Sequence, residues 1–188
     1  MNIKEKIENF IPFNEQEEKD KRVFLEYIDK FDDVITRKNT IGHFTSSNWV
    51  VNKERTKVLM VYHNIYNSWS WTGGHADGES DFLKTATKEL EEETGIKNYK
   101  VLSDNIFSLE CACVNGHEKR GEYVSSHMHL NVTFLIEVDE NETLKVKEDE
   151  NSGVKWINIE DLPEAVSEDW MRLRIYNKLI QKVKRGDW

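Results

Sequence analysis

The fold is decided by residues 71–96, WTGGHADGESDFLKTATKELEEETGI. This stretch joins a glycine-rich turn to a predicted helix that carries Glu89, Glu92 and Glu93. A helix advances about 100° per residue, so Glu92 lies roughly 60° to one side of Glu89 and Glu93 roughly 40° to the other. The three carboxylates therefore share one face of the helix, while Glu91 points elsewhere.

Three like charges on one helix face repel one another and destabilise an isolated helix. A hard divalent cation relieves that repulsion, and Mg²⁺ prefers a few carboxylate oxygens together with substrate phosphate. A solvated acidic face is the alternative interpretation, and most glutamate clusters are of that kind. The position between a glycine turn and Gly95 favours a metal site here.

The turn from Gly73 to Ser80 is suited to a phosphorylated ligand. Glycines let a backbone approach a ligand closely, and the start of a helix exposes N–H groups that favour phosphate. Ser80 is the predicted N-cap of the helix, and Gly95 is its predicted left-handed stop. Turn and helix together predict a metal–diphosphate site.

From Gly74 to Ile96 the sequence resembles the Nudix box, G-x5-E-x7-R-E-U-x-E-E-x-G-U, in which U is a bulky aliphatic residue. The register fits without a gap. Two positions depart from the pattern, because Ser80 replaces a glutamate and Lys88 replaces an arginine. Serine and lysine cannot reproduce a bidentate Glu–Arg pair. We expect this to affect loop rigidity and catalytic rate more than metal binding.

The resemblance implies a Nudix-type α/β/α sandwich with a mixed sheet. It also implies an enzyme that hydrolyses a diphosphate linkage in a nucleoside diphosphate derivative or related organic pyrophosphate. By position, the Mg²⁺ ligands would be Glu89, Glu92 and Glu93, with Mn²⁺ as a possible replacement. The expected general base is Glu93 or a glutamate of a later loop, where Glu150 is the first choice and Glu148 the second.

Substrate contacts are expected from the glycine turn, at Gly73, Gly74 and His75. His127 and His129 lie two apart in a predicted strand, so they face the same way and are candidates to contact a phosphate or leaving group. A polar strand face is the other interpretation. Two histidines without nearby Cys or His partners are a weak signal for zinc.

Hydrophobic periodicity predicts an N-terminal helical extension, residues 1–38, followed by a Nudix domain, residues 39–188. The stretches 115–121 and 139–152 read as polar loops. Helices are predicted at 3–10, 15–32, 81–94 and 168–184, and strands at 43–52, 57–63, 69–73, 98–113, 122–138 and 154–159.

The 188 residues carry a formal charge of −9, which argues against nucleic acid as the main partner but not against a small phosphorylated substrate. Cys111 and Cys113 suit neither an ordinary disulfide nor a four-ligand zinc site, so a reducing compartment is expected. The charged N-terminal stretch does not resemble a signal peptide. A soluble, cytoplasmic protein without membrane contact is predicted, with a homodimer possible.

Two other functions stay open at this level. A Nudix-like module that binds a nucleotide without cleaving it is consistent with the changes at Ser80 and Lys88. An isomerase similar to isopentenyl diphosphate isomerase would need a reactive cysteine, and the run Glu110-Cys111-Ala112-Cys113-Val114 does not resemble that family's cysteine motif.

Overall fold

The computed structural model describes residues 2–119, 121–186 and 188. The helices are α1 (Ile3–Asn9), α2 (Glu15–Lys30), α3 (Phe82–Thr94), α4 (Leu162–Ala165) and α5 (Asn177–Arg185), and a π-helical segment (Met171–Tyr176) runs directly into α5. The strands are β1 (Gly42–Val51), β2 (Lys57–His63), β3 (Ser68–Ser70), β4 (Thr72–His75), β5 (Lys100–Val101), β6 (Ser108–Val114), β7 (His117–Lys119), β8 (Glu122–Val124), β9 (His127–Glu137) and β10 (Asn151–Asn158).

Eight of the strands form one mixed sheet around a parallel pair, β1 and β9. The main path runs β10-β2-β1-β9-β5, while β3 pairs with β2, β4 with β1, and β6 with β9. Every residue of β1 is buried, as expected for a strand that is covered on both faces. The helices on the two sides make this the α/β sandwich that the sequence predicted.

Helix α3 packs one apolar stripe, Phe82, Ala86 and Leu90, into the core. The helix ends at Gly95, whose φ of 74° is the left-handed conformation that glycine adopts without steric cost. The predicted N-cap is wrong by one residue. Asp81, not Ser80, accepts the bond from the Lys84 N–H, since the Asp81 carboxylate lies directly before the first helical residue.

The N-terminal helices pack on the rest of the chain through a network of buried charges. Glu17 of α2 is fully buried, and its carboxylate lies 3.2 Å from the ammonium groups of both Lys178 and Lys182 on α5. Lys178 also reaches Glu110 of β6 at 3.0 Å. Buried charges of this kind persist only when they are paired, so α2, α5 and β6 are held to one another by mutual neutralisation.

Several predicted elements are divided in the structure. The expected strand 98–113 is two strands, β5 and β6, separated by the turn around 103–105, and 122–138 is broken at Ser125 and Ser126. Part of the predicted loop 115–121 forms β7, which pairs with β8. The predicted helix 168–184 is a π-helical segment followed by α5. No helix in the described ranges is both long and apolar enough to cross a membrane.

Candidate functional site

Glu93 is the most deeply placed of the three glutamates, with 4% of its surface exposed. Its carboxylate accepts a hydrogen bond from the backbone N–H of Gly73 at 2.9 Å and another from the side-chain amide of Asn151 at 3.0 Å. The residue thereby joins α3 to the glycine turn in β4 and to the start of β10. Its carboxylate is fixed in direction before any ligand binds.

Glu89 packs against Gly74, so a side chain at position 74 would compete with the Glu89 carboxylate for the same space. A Cβ built on Gly74 would lie 2.5 Å from both the carboxylate carbon and Oε1 of Glu89. Real Cβ atoms do not approach other atoms so closely, so any larger residue would displace the carboxylate. Burial, with a further contribution from Glu92, raises the pKa of the Glu89 carboxyl above its ordinary value.

Glu92 lies at the more exposed edge of the cluster, where two lysines approach it. The Lys88 ammonium is 3.2 Å away and that of Lys147 is 3.8 Å away. Lys147 also donates to Glu150 at 2.9 Å. The lysine that replaces the arginine of the box therefore pairs with Glu92, along the same helix, and Lys147 neutralises part of the acidic cluster from the opposite side.

The electrostatics of the cluster fit a hard divalent cation. The pKa of Glu93 is raised to about 7, chiefly by burial and also by the carboxylates of Glu89 and Glu150, which together outweigh the lowering by its two hydrogen bonds. Carboxyl groups crowded in this way are short of positive charge. Their donor atoms are all oxygen, which Mg²⁺ and Mn²⁺ prefer. The ligand roles of Glu89, Glu92 and Glu93 stay predictions.

Glu148 and Glu150, the two candidates for the general base in the loop before β10, are placed differently relative to the glutamate cluster. Glu150 lies close enough to Glu89 and Glu93 to influence the pKa of both carboxyls. Its own pKa is lowered, chiefly by the hydrogen bond from Lys147, so its carboxylate is ionised near neutral pH. Glu148 has no comparable contact with the cluster among the described residues. Of the two, the structure brings Glu150 to the candidate site.

The predicted substrate-contact histidines cluster on another part of the same sheet. His127 and His129 face the same way, and their Nε2 atoms are 3.1 Å apart. The ring of His75 is 4.9 Å from that of His129. A fourth histidine, His43 of β1, was not a sequence candidate, and its ring lies 5.0–5.2 Å from the other three. The expectation that the His127 and His129 pair lacks partners is wrong, because strand pairing supplies them.

The cysteines lack the features of a reactive thiol. Cys111 is partly buried and Cys113 is exposed on β6, and both are free. Burial, followed by the charges of Asp20 and Glu110, raises the pKa of the Cys111 thiol. A nucleophilic or acid–base cysteine needs the opposite shift, toward the thiolate. This geometry argues against isomerase chemistry that depends on Cys111.

Three residues near the candidate site had no signal in the sequence: His43, Lys147 and Asn151. His43 is a single histidine in a strand of mixed polar and apolar residues, and Asn151 is one amide in a predicted polar loop. Their positions depend on strand register, which pairs His43 with His129 and Asn151 with His63. His43 could be recognised from the sequence only if the parallel pairing of β1 with β9 were known, because that pairing places it beside His129.

Comparison with known proteins agrees with this geometry. The model of the NUDIX domain matches residues 43–177, which is most of the chain. An RNA pyrophosphohydrolase of Pelagibacter ubique (strain HTCC1062) is 30% identical over 139 residues, covering 72% of this chain and 87% of that protein. The chain therefore belongs to the Nudix family, and it is an enzyme of the pyrophosphohydrolase type.

Solved structures show the same fold at low sequence identity. The dihydroneopterin triphosphate pyrophosphohydrolase of E. coli has a TM-score of 0.55 at 13% identity, over 76% of this chain and 95% of that one. A binary complex of the C. elegans Ap4A hydrolase has a TM-score of 0.53 at 17% identity, over 76% and 96%. Both likenesses bear on the fold and not on the substrate.

Proposed function

We propose that the protein is a Mg²⁺-dependent hydrolase that cleaves a diphosphate linkage in a nucleoside diphosphate derivative or a related organic pyrophosphate. Mn²⁺ is the expected substitute ion. The observation that carries this proposal is the position of Glu93, which is buried, bonded to the glycine turn and surrounded by further carboxylates. A solvated acidic face would have no reason to bury a carboxylate in this way.

The ion would be held by Glu89, Glu92 and Glu93, where it would draw negative charge from the phosphoryl oxygens and acidify a bound water. The protein's own part is to hold these groups in place. Glu93 is oriented by the Gly73 N–H and by Asn151. The Gly73 N–H is therefore already used in a hydrogen bond to Glu93. The glycine turn would contact the diphosphate through the rest of its backbone and through His75.

The general base is assigned to Glu150 in preference to Glu93. Both oxygens of Glu93 already accept hydrogen bonds, which suits a fixed ligand. Glu150 is partly exposed and has one charged partner, Lys147, so it has lone pairs free to accept a proton from water. Its carboxylate is kept ionised by that lysine.

A substrate panel tests the proposal. ADP-ribose, a dinucleoside polyphosphate, a nucleotide sugar and nucleoside triphosphates would each be incubated with Mg²⁺, and phosphate-containing products would be quantified. We expect turnover of at least one compound, strongly reduced in Glu92→Gln. Tight binding without any product, in Mg²⁺ or Mn²⁺, would instead identify a nucleotide-binding module and reject the hydrolase.

A 5′-phosphorylated RNA end is a second candidate substrate, because the Pelagibacter relative is named an RNA pyrophosphohydrolase. The net charge of −9 disfavours long contacts with a phosphate backbone. We therefore expect rates with 5′-triphosphorylated oligonucleotides to stop rising after the first few nucleotides. Rates that keep rising with length, with a steep salt dependence, would contradict this.

The domain boundary, the oligomeric state and the cellular compartment are also proposals. Residues 1–38 are proposed as an extension and 39–188 as the Nudix domain, and limited proteolysis followed by mass spectrometry would locate the boundary. A homodimer is proposed as a possible state, which light scattering after gel filtration would test. The cytoplasm is the proposed compartment, and an unpaired state of both cysteines in cells would agree with it.

A further inference from the structure

Four histidines from three strands converge on one face of the sheet. They come from β1, from the end of β4 and from the beginning of β9, and each offers one ring nitrogen within 4.8 Å of the other three. Within the described ranges, this is the only group of three or more His, Cys, Asp or Glu side chains that meets this criterion. The members are His43, His75, His127 and His129.

Backbone carbonyl groups next to the cluster fix the tautomer of two of the four histidines. The Nδ1 atom of His43 lies 3.0 Å from the carbonyl oxygen of Asn39, and that of His127 lies 2.8 Å from the carbonyl oxygen of Ser125. A carbonyl oxygen can only accept, so each Nδ1 carries the proton and each Nε2 presents a lone pair. A histidine that donates through one ring nitrogen to a carbonyl can bind a metal through the other. The Nε2 of His43 has no partner among the described residues, whereas that of His127 lies within hydrogen-bonding distance of the His129 Nε2, at 3.1 Å.

His43 provides the strongest single observation. The side chain is 4% exposed, and its Nε2 has no hydrogen-bond partner among the described residues. A buried acceptor without a partner loses its hydrogen bonds to water and gains nothing in return, which destabilises the protein. The three other histidine rings lie around this side chain, at centroid distances of 5.0–5.2 Å. A cation bound among the rings would satisfy this lone pair.

The distances are close to those of a coordinated ion. Zn–N bonds of about 2.0–2.1 Å in a tetrahedral site place the nitrogens roughly 3.3–3.4 Å apart. The Nε2 atoms of His127 and His129 are already 3.1 Å apart, and the full set lies within 4.8 Å. Small side-chain rotations would complete the site. Ligation requires neutral imidazole rings, and the burial of His43 favours the neutral form.

We propose that this cluster binds a divalent transition metal ion, with Zn²⁺ as the expected occupant. Imidazole nitrogen suits Zn²⁺ and related ions, whereas Mg²⁺ and Mn²⁺ prefer the oxygen donors of the glutamate cluster. The two sites differ in their donor atoms but adjoin at the glycine turn, where His75 follows Gly74. With zinc bound, His75 would be a metal ligand and not the substrate contact proposed above. The proposal does not depend on the proposed diphosphate hydrolysis, and it concerns metal binding rather than turnover.

The ion would cross-link three strands that are distant in sequence. His43 and His129 are neighbours in the parallel β1–β9 register, and His75 joins them from β4, where it pairs with Thr45. Ligands on β1, β4 and β9 would resist separation of the sheet at this point. The nearby guanidinium of Arg37 disfavours positive charge at His75, and its effect is offset in part because both carboxylate oxygens of Asp77 accept hydrogen bonds from it, at 2.7 and 2.6 Å.

The test uses protein without an affinity tag, stripped of metal and dialysed against Zn²⁺ in saturating Mg²⁺. We expect one tightly bound zinc per chain by mass spectrometry and a rise in Tm. Co²⁺ in place of Zn²⁺ should give the intense visible absorption of a tetrahedral nitrogen site. His75→Ala and His127→Ala should each weaken binding by at least roughly 100-fold, because each removes a direct ligand.

Two matched controls locate the site. His63→Ala changes a histidine outside the cluster and should retain the zinc, as should Glu92→Gln in the glutamate cluster. His75 and His127 are less buried than His43, so their variants are expected to fold, which circular dichroism would verify. Absence of zinc in the wild-type protein, or equal zinc in wild type and a His75→Ala/His127→Ala variant, would overturn the proposal and leave a neutral cluster of imidazoles.

Discussion

The Glu93 carboxylate accepts a hydrogen bond from the Gly73 backbone N–H over 2.9 Å, across 20 positions of the chain. This contact joins Glu93, near the end of α3, to the turn that precedes the helix. A carboxylate that accepts a backbone N–H is fixed in orientation, which a metal ligand needs if the ion is to meet the substrate in a constant position.

Replacing Glu93 with glutamine should abolish most turnover while keeping the fold. The Oδ1 atom of Asn151 is buried and unpartnered, so the Asn151 amide can turn over and accept from the new Gln amide. Both hydrogen bonds of the position are thereby preserved, but the charge is lost. Because the proposed ion would lose a charged ligand, we expect kcat to fall by at least about 100-fold. Steady-state kinetics and thermal unfolding would measure the two effects.

Glu91→Gln is the control for that experiment, because Glu91 is an exposed residue of the same helix. It should keep near wild-type turnover. Comparable losses in both variants would show that turnover depends on the total negative charge of the helix and not on the hydrogen-bonded position of Glu93.

The glycine at position 74 should be essential for geometry and not for flexibility. Gly74→Ala would bring a Cβ within 2.5 Å of the Glu89 carboxylate and displace it. We expect a higher Mg²⁺ requirement and at least tenfold lower kcat/KM, with a Tm drop of a few degrees. Ser80→Ala in the same turn is the control. A Gly74→Ala enzyme with an unchanged Mg²⁺ requirement would show that Glu89 has no part in metal binding.

Lys147 should compete with the divalent ion. Its ammonium lies 3.8 Å from Glu92 and 2.9 Å from Glu150, so part of the acidic cluster is neutralised without metal. In Lys147→Met we expect the activation constant for Mg²⁺ to fall several-fold, because the competing cation is gone. Isothermal titration with Mg²⁺ would measure it. Weaker Mg²⁺ binding in the variant would instead mean that Lys147 supports the site.

Stability should depend on Glu17 in a pH-dependent manner. Burial alone would raise its pKa, but Lys178, Lys182 and the bond from Ser108 hold the pKa below its ordinary value. A depressed carboxyl pKa stabilises the fold above the unfolded value of about 4.3, and the effect is lost as pH falls through the folded value. Glu17→Gln should cost about 3–5 kcal/mol at pH 7.

The difference between wild type and Glu17→Gln should shrink as pH is lowered below about 4.3. Urea unfolding at a series of pH values would show this. Glu18→Gln is the matched control, since Glu18 is exposed on the same helix and forms a solvent-exposed ion pair with Arg22 at 3.7 Å. A Glu17→Gln penalty that stayed constant down to pH 3 would contradict the linkage.

What the sequence predicts well is the part of the site that is local. The face shared by Glu89, Glu92 and Glu93 follows from helix periodicity, and the stop at Gly95 follows from its conformational freedom. Strand existence was also predicted, since β1, β2 and the longer part of β9 show apolar patterns. Strand ends were not, because breaks such as Ser125 and Ser126 depend on pairing with distant partners.

The sequence does not predict contacts that depend on how distant strands pair with one another. His43 and His129 are 86 positions apart and become neighbours only through the parallel pairing of β1 with β9. Asn151 reaches Glu93 because β10 pairs with β2 beside the glycine turn. The predicted roles of Gly73, His75, His127 and His129 toward a substrate stay predictions, although the structure places all four on strands of one sheet.

The buried pairing of Glu17 with Lys178 and Lys182 has a consequence for synthesis on the ribosome. A growing chain that has not yet released its last helix must leave Glu17 uncompensated, so the early helices have little reason to settle onto the sheet. Nascent chains stalled while residues 178–182 are inside the ribosomal exit tunnel should therefore expose the α2 segment to protease, and chains in which an added C-terminal linker brings α5 out of the tunnel should protect it. Equal protection at both lengths would show that the order of emergence does not matter.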